Sequence, residues 1–122
     1  MLKCNPMGKN KSFDKGQPPV EHVSEMQIRR THAEIADRSG ELPELDLHGE
    51  TANQASVEIY NYILSQNAAG ELCCRIVHGK GTGVLERVVA KEIEDLTAQG
   101  VIEESFPSQK YPGAAIIVIL RA

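Results

Sequence analysis

Residues 75–83 read Arg75-Ile76-Val77-His78-Gly79-Lys80-Gly81-Thr82-Gly83, an apolar strand that runs into a turn with three glycines. An amphipathic helix is predicted to begin directly after this turn. Glycines at alternate positions carry no Cβ and accept positive φ, so a ligand can approach the backbone closely. The helix directs its unpaired N–H groups and the positive end of its dipole toward the turn. The pattern is typical of an anion site, for phosphate above all, and the alternative is that the glycines only shape a tight turn.

The segments on either side of this turn predict an α/β protein. Residues 45–48 alternate apolar and polar side chains, as a strand with one buried face does. Thr51 and Gln54 fit a capping box that starts a helix, and Gly70 marks its end. Further predicted elements are a strand over 72–77, a helix over about 83–99 and strands over 101–106 and 114–120. The order β-α-β-α-β-β predicts a two-layer sandwich in which helices pack on a four-stranded mixed sheet.

The first third of the chain differs in character from the rest. Residues 1–43 are interpreted as an N-terminal arm, and residues 44–122 as the folded domain. Within the arm, residues 1–18 are rich in Asn, Lys, Gly, Gln and Pro and are predicted to be flexible. Residues 20–38 favour a helix with a thin apolar stripe, which suits a helix laid on a surface or reaching to a partner.

Composition and charge limit the classes of function. The chain has 122 residues, 41% of them hydrophobic and 25% charged, and lacks the apolar run of about 20 residues that a membrane span needs. Three cysteines, two of them adjacent in a predicted strand, argue against a disulfide framework and favour a cytoplasmic protein. The net charge is −4, so a polyanion would have to meet a local basic patch. The candidates for that patch are Arg75, Lys80, Arg87 and Lys110.

The two halves of the domain share one pattern: a strand, a His-Gly pair and then a helix. The pairs are His48-Gly49 and His78-Gly79. Ligands of α/β proteins tend to bind at the carboxyl ends of the strands. If the two strands are parallel neighbours, we expect His48, His78 and Asp46 to converge on one pocket.

These motifs resemble those of the Smr (small MutS-related) domain family over about residues 44–122. The resemblance is carried by Leu45-Asp46-Leu47-His48-Gly49, by residues 76–85 and by Gly113-Ala114 before the final apolar strand. It implies a fold similar to the C-terminal domain of translation initiation factor three. It also implies nicking or endonuclease activity on DNA or RNA, and the chain looks like the stand-alone members, some of which act on mRNA at stalled ribosomes. One departure is Ala115, where the family often has threonine.

The chemistry of phosphodiester hydrolysis assigns roles to the motif residues. Hydrolysis needs a base, an acid and stabilisation of the phosphoryl oxygens, and histidine serves either proton role near neutral pH. We interpret His48 as the general base or proton shuttle and His78 as the second proton carrier. Asp46 would orient His48 or hold a divalent ion such as Mg²⁺ or Mn²⁺. Lys80 and the amides around Gly79, Gly81 and Gly83 would bind the phosphate.

Plainer interpretations remain open beside these. Asp46 and His48 could form only a structural hydrogen-bonded pair, and His78 could only cap its turn. Tyr111, in the loop before the last strand, could stack on a base. At the level of the whole protein, the alternatives to a nuclease are a non-catalytic nucleic-acid or ribosome-binding module and an adaptor that works through the arm.

Overall fold

The structure, a computed structural model, describes residues 24–121. The predicted flexible arm and the first residues of the predicted 20–38 helix lie outside this range. The described elements are α1 (Glu25–Ser39), β1 (Glu44–Asp46), α2 (Ala52–Ala68), β2 (Cys73–Val77), α3 (Val84–Ala98), β3 (Ile102–Pro107) and β4 (Ala115–Leu120). The predicted order of elements from β1 onward is confirmed.

The four strands form one mixed sheet with the order β1-β2-β4-β3. Strand β1 runs parallel to β2, whereas β4 is antiparallel to both β2 and β3. Strand β4 lies inside the sheet and is covered on both faces, which explains its uninterrupted apolar sequence. The predicted four-stranded mixed sheet is therefore confirmed, while the likeness to translation initiation factor three stays a prediction.

Helices α2 and α3 cover one face of the sheet and form the larger part of the core. Helix α2 begins with the predicted capping box: Thr51 Oγ1 accepts a hydrogen bond from the Gln54 amide at 3.2 Å, and Gln54 Oε1 accepts one from the Thr51 amide at 3.1 Å. Both helices bury apolar side chains at helical spacing against β2 and β4. The buried helix residues are Ala55, Ile59, Ile63, Val89, Ile93 and Leu96.

Helix α1 covers the opposite face of the sheet and adds a third layer to the two that the sequence predicts. Side chains alternate along β4, so Ile117 and Ile119 point away from α2 and α3. They form a second apolar cluster with Ala33 of α1 and Phe106 of β3. The sequence predicted a helix within the arm, either laid on a surface or reaching to a partner, and the burial of these isoleucines shows that it lies on the sheet.

A buried ion pair joins α1 to the sheet. The Arg75 guanidinium donates two hydrogen bonds to Asp37 Oδ1, at 3.0 and 2.8 Å, and one to the Asp37 carbonyl oxygen at 2.8 Å. Both side chains are about 1% exposed, and Glu44 supplies a second carboxylate to Arg75 at 2.7 Å. Ser108 donates to Asp37 Oδ1, and the Gln109 amide donates to Asp37 Oδ2, each at 2.7 Å. Asp37 therefore connects α1, β2 and the loop after β3.

These contacts shift the pKa values of the pair in the directions expected for a stable ion pair. Burial alone would raise the pKa of Asp37, but the hydrogen bonds from Ser108, Arg75 and the backbone of Gln109 outweigh it and lower that pKa. Burial opposes the charge on Arg75 as well, and its hydrogen bonds to Asp37 and Glu44 raise its pKa.

The adjacent cysteines of β2 are part of the packing. Cys74 is fully buried, and Cys73 is half-buried against the α1 cluster. Burial raises the pKa of the Cys74 thiol to about 12, so this thiol stays protonated and behaves as an apolar side chain. Of the helices in residues 24–121, none combines the length and apolar character that crossing a membrane requires.

We expect Asp37→Asn to lower the free energy of unfolding by roughly 3 kcal/mol near neutral pH, because it leaves a buried guanidinium without its main carboxylate. Since the folded-state pKa of Asp37 is lowered, its contribution is present above the unfolded value of about 3.9 and is lost as the pH falls through the folded value. The difference between wild type and variant should therefore shrink below about pH 4.

Urea unfolding of both proteins across this pH range measures the effect. Asp95→Asn is the matched control, because the Asp95 side chain of α3 is 45% exposed and pairs with Lys91 at the surface. Equal losses of stability in Asp37→Asn and Asp95→Asn would contradict the role given to the buried pair.

Candidate functional site

The parallel pairing of β1 and β2 brings the two His-Gly pairs to one edge of the sheet. Asp46 is the register partner of Val77, and the Leu47 amide continues the pairing by donating to the Val77 carbonyl at 2.9 Å. The chain leaves both strands at the same edge, so His48 and His78 follow at adjacent positions. Both line one open cleft of about 800 Å³.

Three segments line this cleft: residues 48–52 at the start of α2, residues 78–86 at the start of α3, and Gly113 from the loop before β4. Most of the site residues expected from the sequence meet here, namely His48, His78, Gly79, Lys80, Gly81 and Gly83. The expectation that the two strand ends form one pocket is met for both histidines. The roles given to these residues remain predictions.

The glycine turn leaves the start of α3 open to the cleft. Gly83 is the N-cap of α3, with φ 92°, and provides no side chain to bond the first amides of the helix. Within the described residues, the backbone amides of residues 80–83 make no hydrogen bond either. Helices α1 and α2, by contrast, both begin with a capping box. The Val84 amide makes one long contact, 3.4 Å to Thr82 Oγ1, and the remaining N–H groups and the positive end of the helix dipole face the cleft.

The three glycines do not share one conformation. Gly79 and Gly83 have positive φ, at 79° and 92°, and so occupy the region that side-chain-bearing residues rarely adopt. Gly81 does not, and a Cβ built on it meets nothing within 4 Å. The absence of a side chain at Gly81 is therefore not required by the fold, and it leaves open space beside the amides.

His78 is held in one orientation. Its backbone amide donates to the Ala114 carbonyl at 2.8 Å, and its ring Nδ1 lies 2.7 Å from the Gly79 carbonyl oxygen. A carbonyl oxygen can only accept, so Nδ1 carries the proton and Nε2 is the acceptor of the neutral ring. Only 9% of the residue is exposed. The turn-capping contact that the sequence left as an alternative is thus present, and it leaves Nε2 available for proton transfer.

The hydrogen bond between Asp46 and His48 goes to the His48 backbone and not to its ring. Asp46 Oδ1 accepts a hydrogen bond from the His48 backbone amide at 2.9 Å, and Asp46 is not among the residues that line the cleft. The plainer interpretation, a structural hydrogen-bonded pair, describes this contact. Asp46 thereby fixes the backbone turn that presents the exposed His48 side chain.

The residues present do not offer a divalent metal a ready set of ligands. Across residues 24–121 no three His, Cys, Asp or Glu side chains are grouped closely enough to hold a metal ion. Mg²⁺ is usually bound through carboxylates together with phosphate oxygens of a substrate. Dependence on Mg²⁺ or Mn²⁺ stays a prediction.

The charge around the cleft is mixed. Lys80 is exposed on its rim, and its Cε lies 3.7 Å from the position that a Cβ on Gly113 would occupy. Two carboxylates, Glu50 and Glu86, line the cleft as well. The cleft is therefore not a broad basic surface, and an anion would depend on the open amides, the helix dipole and Lys80.

The predicted basic patch is only partly correct. Arg75 is wrong as a phosphate ligand, because it is buried and its guanidinium is occupied by Asp37 and Glu44. Arg87 lies beside the start of α3, with its guanidinium 3.3 Å from where a Cβ on Gly83 would be, but it does not line the cleft. Lys110 lies on the loop before β4, next to Tyr111 and likewise outside the lining.

Ala114 holds the glycine turn in place, and sequence reasoning did not give it that role. Its carbonyl accepts hydrogen bonds from both the His78 and Gly79 amides, at 2.8 and 2.9 Å. No side-chain chemistry identifies such a position, and its signals in the sequence were the Pro112-Gly113 turn and the Gly113-Ala114 pair of the family motif. Ala115, where the family often has threonine, is buried and pairs with Val77, so the missing hydroxyl lies outside the cleft lining.

Comparison with known proteins agrees with the motifs. Residues 45–121 match the Smr domain family. Endonuclease MutS2 of Ligilactobacillus salivarius is 31% identical over 97 residues, and that of Enterococcus faecalis is 30% identical over 99 residues. These alignments cover 78% and 81% of this chain but only 12% and 13% of the relatives. The chain thus spans about an eighth of the length of these relatives.

Solved structures of small MutS-related proteins are similar to this structure. The Smr domain of Thermus thermophilus MutS2 matches with a TM-score of 0.60 and 28% identity, over 66% of this chain and all of that domain. YdaL, a stand-alone small MutS-related protein from Escherichia coli, matches with a TM-score of 0.63 over 75% of this chain and 76% of its own. At 19% identity, YdaL supports the fold alone.

The different conformations of Gly81 and Gly83 predict different costs of substitution. Gly83→Val should lower the free energy of unfolding by about 1–3 kcal/mol, because valine is strained at positive φ. Gly81→Val should cost less than about 1 kcal/mol, because its φ is ordinary and the space around it is empty. Urea unfolding of the two variants is the measurement. Equal destabilisation by both would show that the turn is built differently.

Proposed function

The chain belongs to the Smr domain family, and from this we propose that it is an endonuclease or nicking enzyme that hydrolyses phosphodiester bonds in RNA or DNA. One observation carries the proposal. Two histidines and the uncapped start of α3 share a cleft at the carboxyl ends of β1 and β2. The cleft thus combines two imidazole side chains, which can accept or donate a proton, with hydrogen-bond donors that suit a phosphate.

The phosphate would lie against the glycine turn. The backbone amides of residues 80–83 and the first amides of α3 donate to its oxygens, and Gly81 leaves room for a close approach. Lys80 adds a positive charge at the rim. Such preoriented donors stabilise the charge that develops on the phosphoryl oxygens in the transition state.

The histidines would move the protons. His48, which is exposed, accepts a proton from the attacking water as the new P–O bond forms. His78 donates a proton to the sugar oxygen as the old P–O bond breaks. The Gly79 carbonyl accepts from Nδ1 whether the His78 ring is neutral or protonated, so this ring can exchange its proton at Nε2 without turning. Asp46 acts as a positioning residue through the His48 amide.

A non-catalytic nucleic-acid-binding module is the second candidate. It is favoured by the Asp46 contact, which goes to the His48 amide and not to its ring, and by the carboxylates of Glu50 and Glu86 in the cleft. Salt-sensitive binding by a wild-type protein that cuts neither RNA nor DNA would select this candidate. Contact with the ribosome or a partner through the arm, and the cytoplasmic location, stay predictions.

We expect His48→Ala and His78→Ala each to lower the cleavage rate by about 100-fold or more, the contribution typical of a general acid or base. Labelled RNA and DNA strands, incubated with and without Mg²⁺ or Mn²⁺, give the rates. His32→Ala is the control, since His32 is exposed on α1 and does not line the cleft. Full activity in both cleft variants would exclude this cleft as the active site.

Lys80→Ala should weaken nucleic-acid binding and reduce the slope of log affinity against log salt by about one unit or less, because one phosphate contact is lost. Lys91→Ala is the matched control. Lys91 is an exposed lysine of α3 that pairs with Asp95 and lies outside the cleft lining. An unchanged slope for Lys80→Ala would mean that this lysine touches no phosphate.

A further inference from the structure

The loop between β3 and β4 carries an exposed aromatic residue, Tyr111, two positions before Gly113, which lines the cleft. Tyr111 is 36% exposed and opens a four-residue turn, Tyr111-Pro112-Gly113-Ala114. The Ala114 amide donates to the Tyr111 carbonyl at 3.0 Å, and Gly113 has φ 73°. Proline followed by glycine at positive φ is the sequence that a type II turn requires. The local sequence therefore fixes where Tyr111 sits.

This turn is joined directly to the glycine turn of the cleft. The Ala114 carbonyl accepts from the His78 and Gly79 amides, and Gly113 lines the cleft beside Lys80. The first and fourth Cα atoms of a turn lie within about 7 Å of each other. The Cα of Tyr111 is therefore that close to the Cα of Ala114, whose carbonyl holds the His78 turn.

The loop is held rigidly before any ligand arrives. The Tyr111 amide donates to Ser108 Oγ at 3.1 Å. The Gln109 and Lys110 amides donate to Asp37 Oδ2 at 2.7 and 3.3 Å. These partners include the buried carboxylate of Asp37 in α1. Little conformational entropy is therefore lost in ordering the Tyr111 loop when a ligand binds.

The charges around the ring suit a nucleic-acid strand. The buried Arg75 guanidinium lies 5.2 Å from the ring centroid and backs Tyr111 from the protein interior. The Lys110 ammonium lies 5.7 Å from the centroid on the exposed loop. Lys80 approaches Gly113 of the same turn, and Lys110 approaches Gly40 at the end of α1, so one exposed cation lies near the turn and another near the ring. An exposed aromatic ring between cations is how single strands are bound, with bases stacked and phosphates paired.

We propose that Tyr111 and Lys110 form a subsite for an unpaired nucleotide next to the phosphate cleft. The inference rests on the proposed function, because the cleft must hold a phosphate of the same strand. A base inside a duplex is already stacked on both sides and cannot reach the ring, so the substrate is single-stranded, or unpaired, where it leaves the cleft.

The test compares binding of a fluorescein-labelled strand of roughly 12 nucleotides with binding of its duplex, by fluorescence anisotropy of the full chain. Tyr111→Ser should weaken single-strand binding about tenfold, the effect of losing one stacked base. Tyr111→Phe, which keeps the ring, should stay within about twofold of wild type. Tyr60→Ser is the control, since Tyr60 is a similarly exposed tyrosine on α2. The duplex should bind more weakly and be unaffected by Tyr111→Ser.

Three results would overturn the subsite: single-strand binding that survives Tyr111→Ser, an equal loss in Tyr111→Phe, or an equal loss of duplex binding. If Tyr111→Ser fails to fold, Tyr111→Trp replaces it. The chain has no other tryptophan, so quenching of its fluorescence by the single strand and not by the duplex reports stacking.

The subsite and the proposed hydrolysis fail in different ways. Binding that depends on Lys80 but not on Tyr111 would contradict the subsite and support the phosphate cleft. If binding depends on Tyr111 but the wild-type protein cleaves neither RNA nor DNA, the subsite is supported and the proposed hydrolysis is contradicted. A wild-type protein that binds neither the single strand nor the duplex would contradict both proposals.

Discussion

The ion pair between Asp37 and Arg75 is the constraint on which the rest of the structure depends. A guanidinium that is almost wholly buried must have its donors satisfied, and Asp37 and Glu44 together do this. The same aspartate receives the Ser108 hydroxyl and the amides that follow it. One buried carboxylate thus sets the position of α1 on the sheet and of the loop that leads into β4. Through Ala114, that loop sets the position of the glycine turn.

The cleft is a consequence of strand direction. Only β1 and β2 run parallel, so this is the one place in the described sheet where two strand ends and two helix starts meet. The antiparallel strand β4 contributes from the opposite direction, by entering the sheet at the same edge. The histidines, the open amides and the aromatic turn are therefore brought together by topology, although they are far apart in sequence.

The sequence predicted much of this and missed what depends on distant partners. The strands, α2 and α3 follow from local alternation, helical spacing and the Thr51 cap, and the His-Gly pairs follow from their place after strands. The packing of α1 was not predictable, because its buried residues are Ala33 and Asp37, which do not mark an apolar face. Arg75 was assigned to the phosphate patch because its partner lies 38 positions away. The sequence left two interpretations of Asp46 open, because a carboxylate can bond a neighbouring backbone amide as readily as a ring.

The glycine at the start of α3 links the stability of this helix to the use of the cleft. Serine, threonine and aspartate cap a helix from extended backbone, whereas Gly83 has φ 92°, so a capping side chain would require a rebuilt turn. Under the proposed function, a rebuilt and capped turn would also place a side-chain oxygen where an oxygen of the phosphate would lie. Such a variant would stabilise the free protein at the expense of ligand binding.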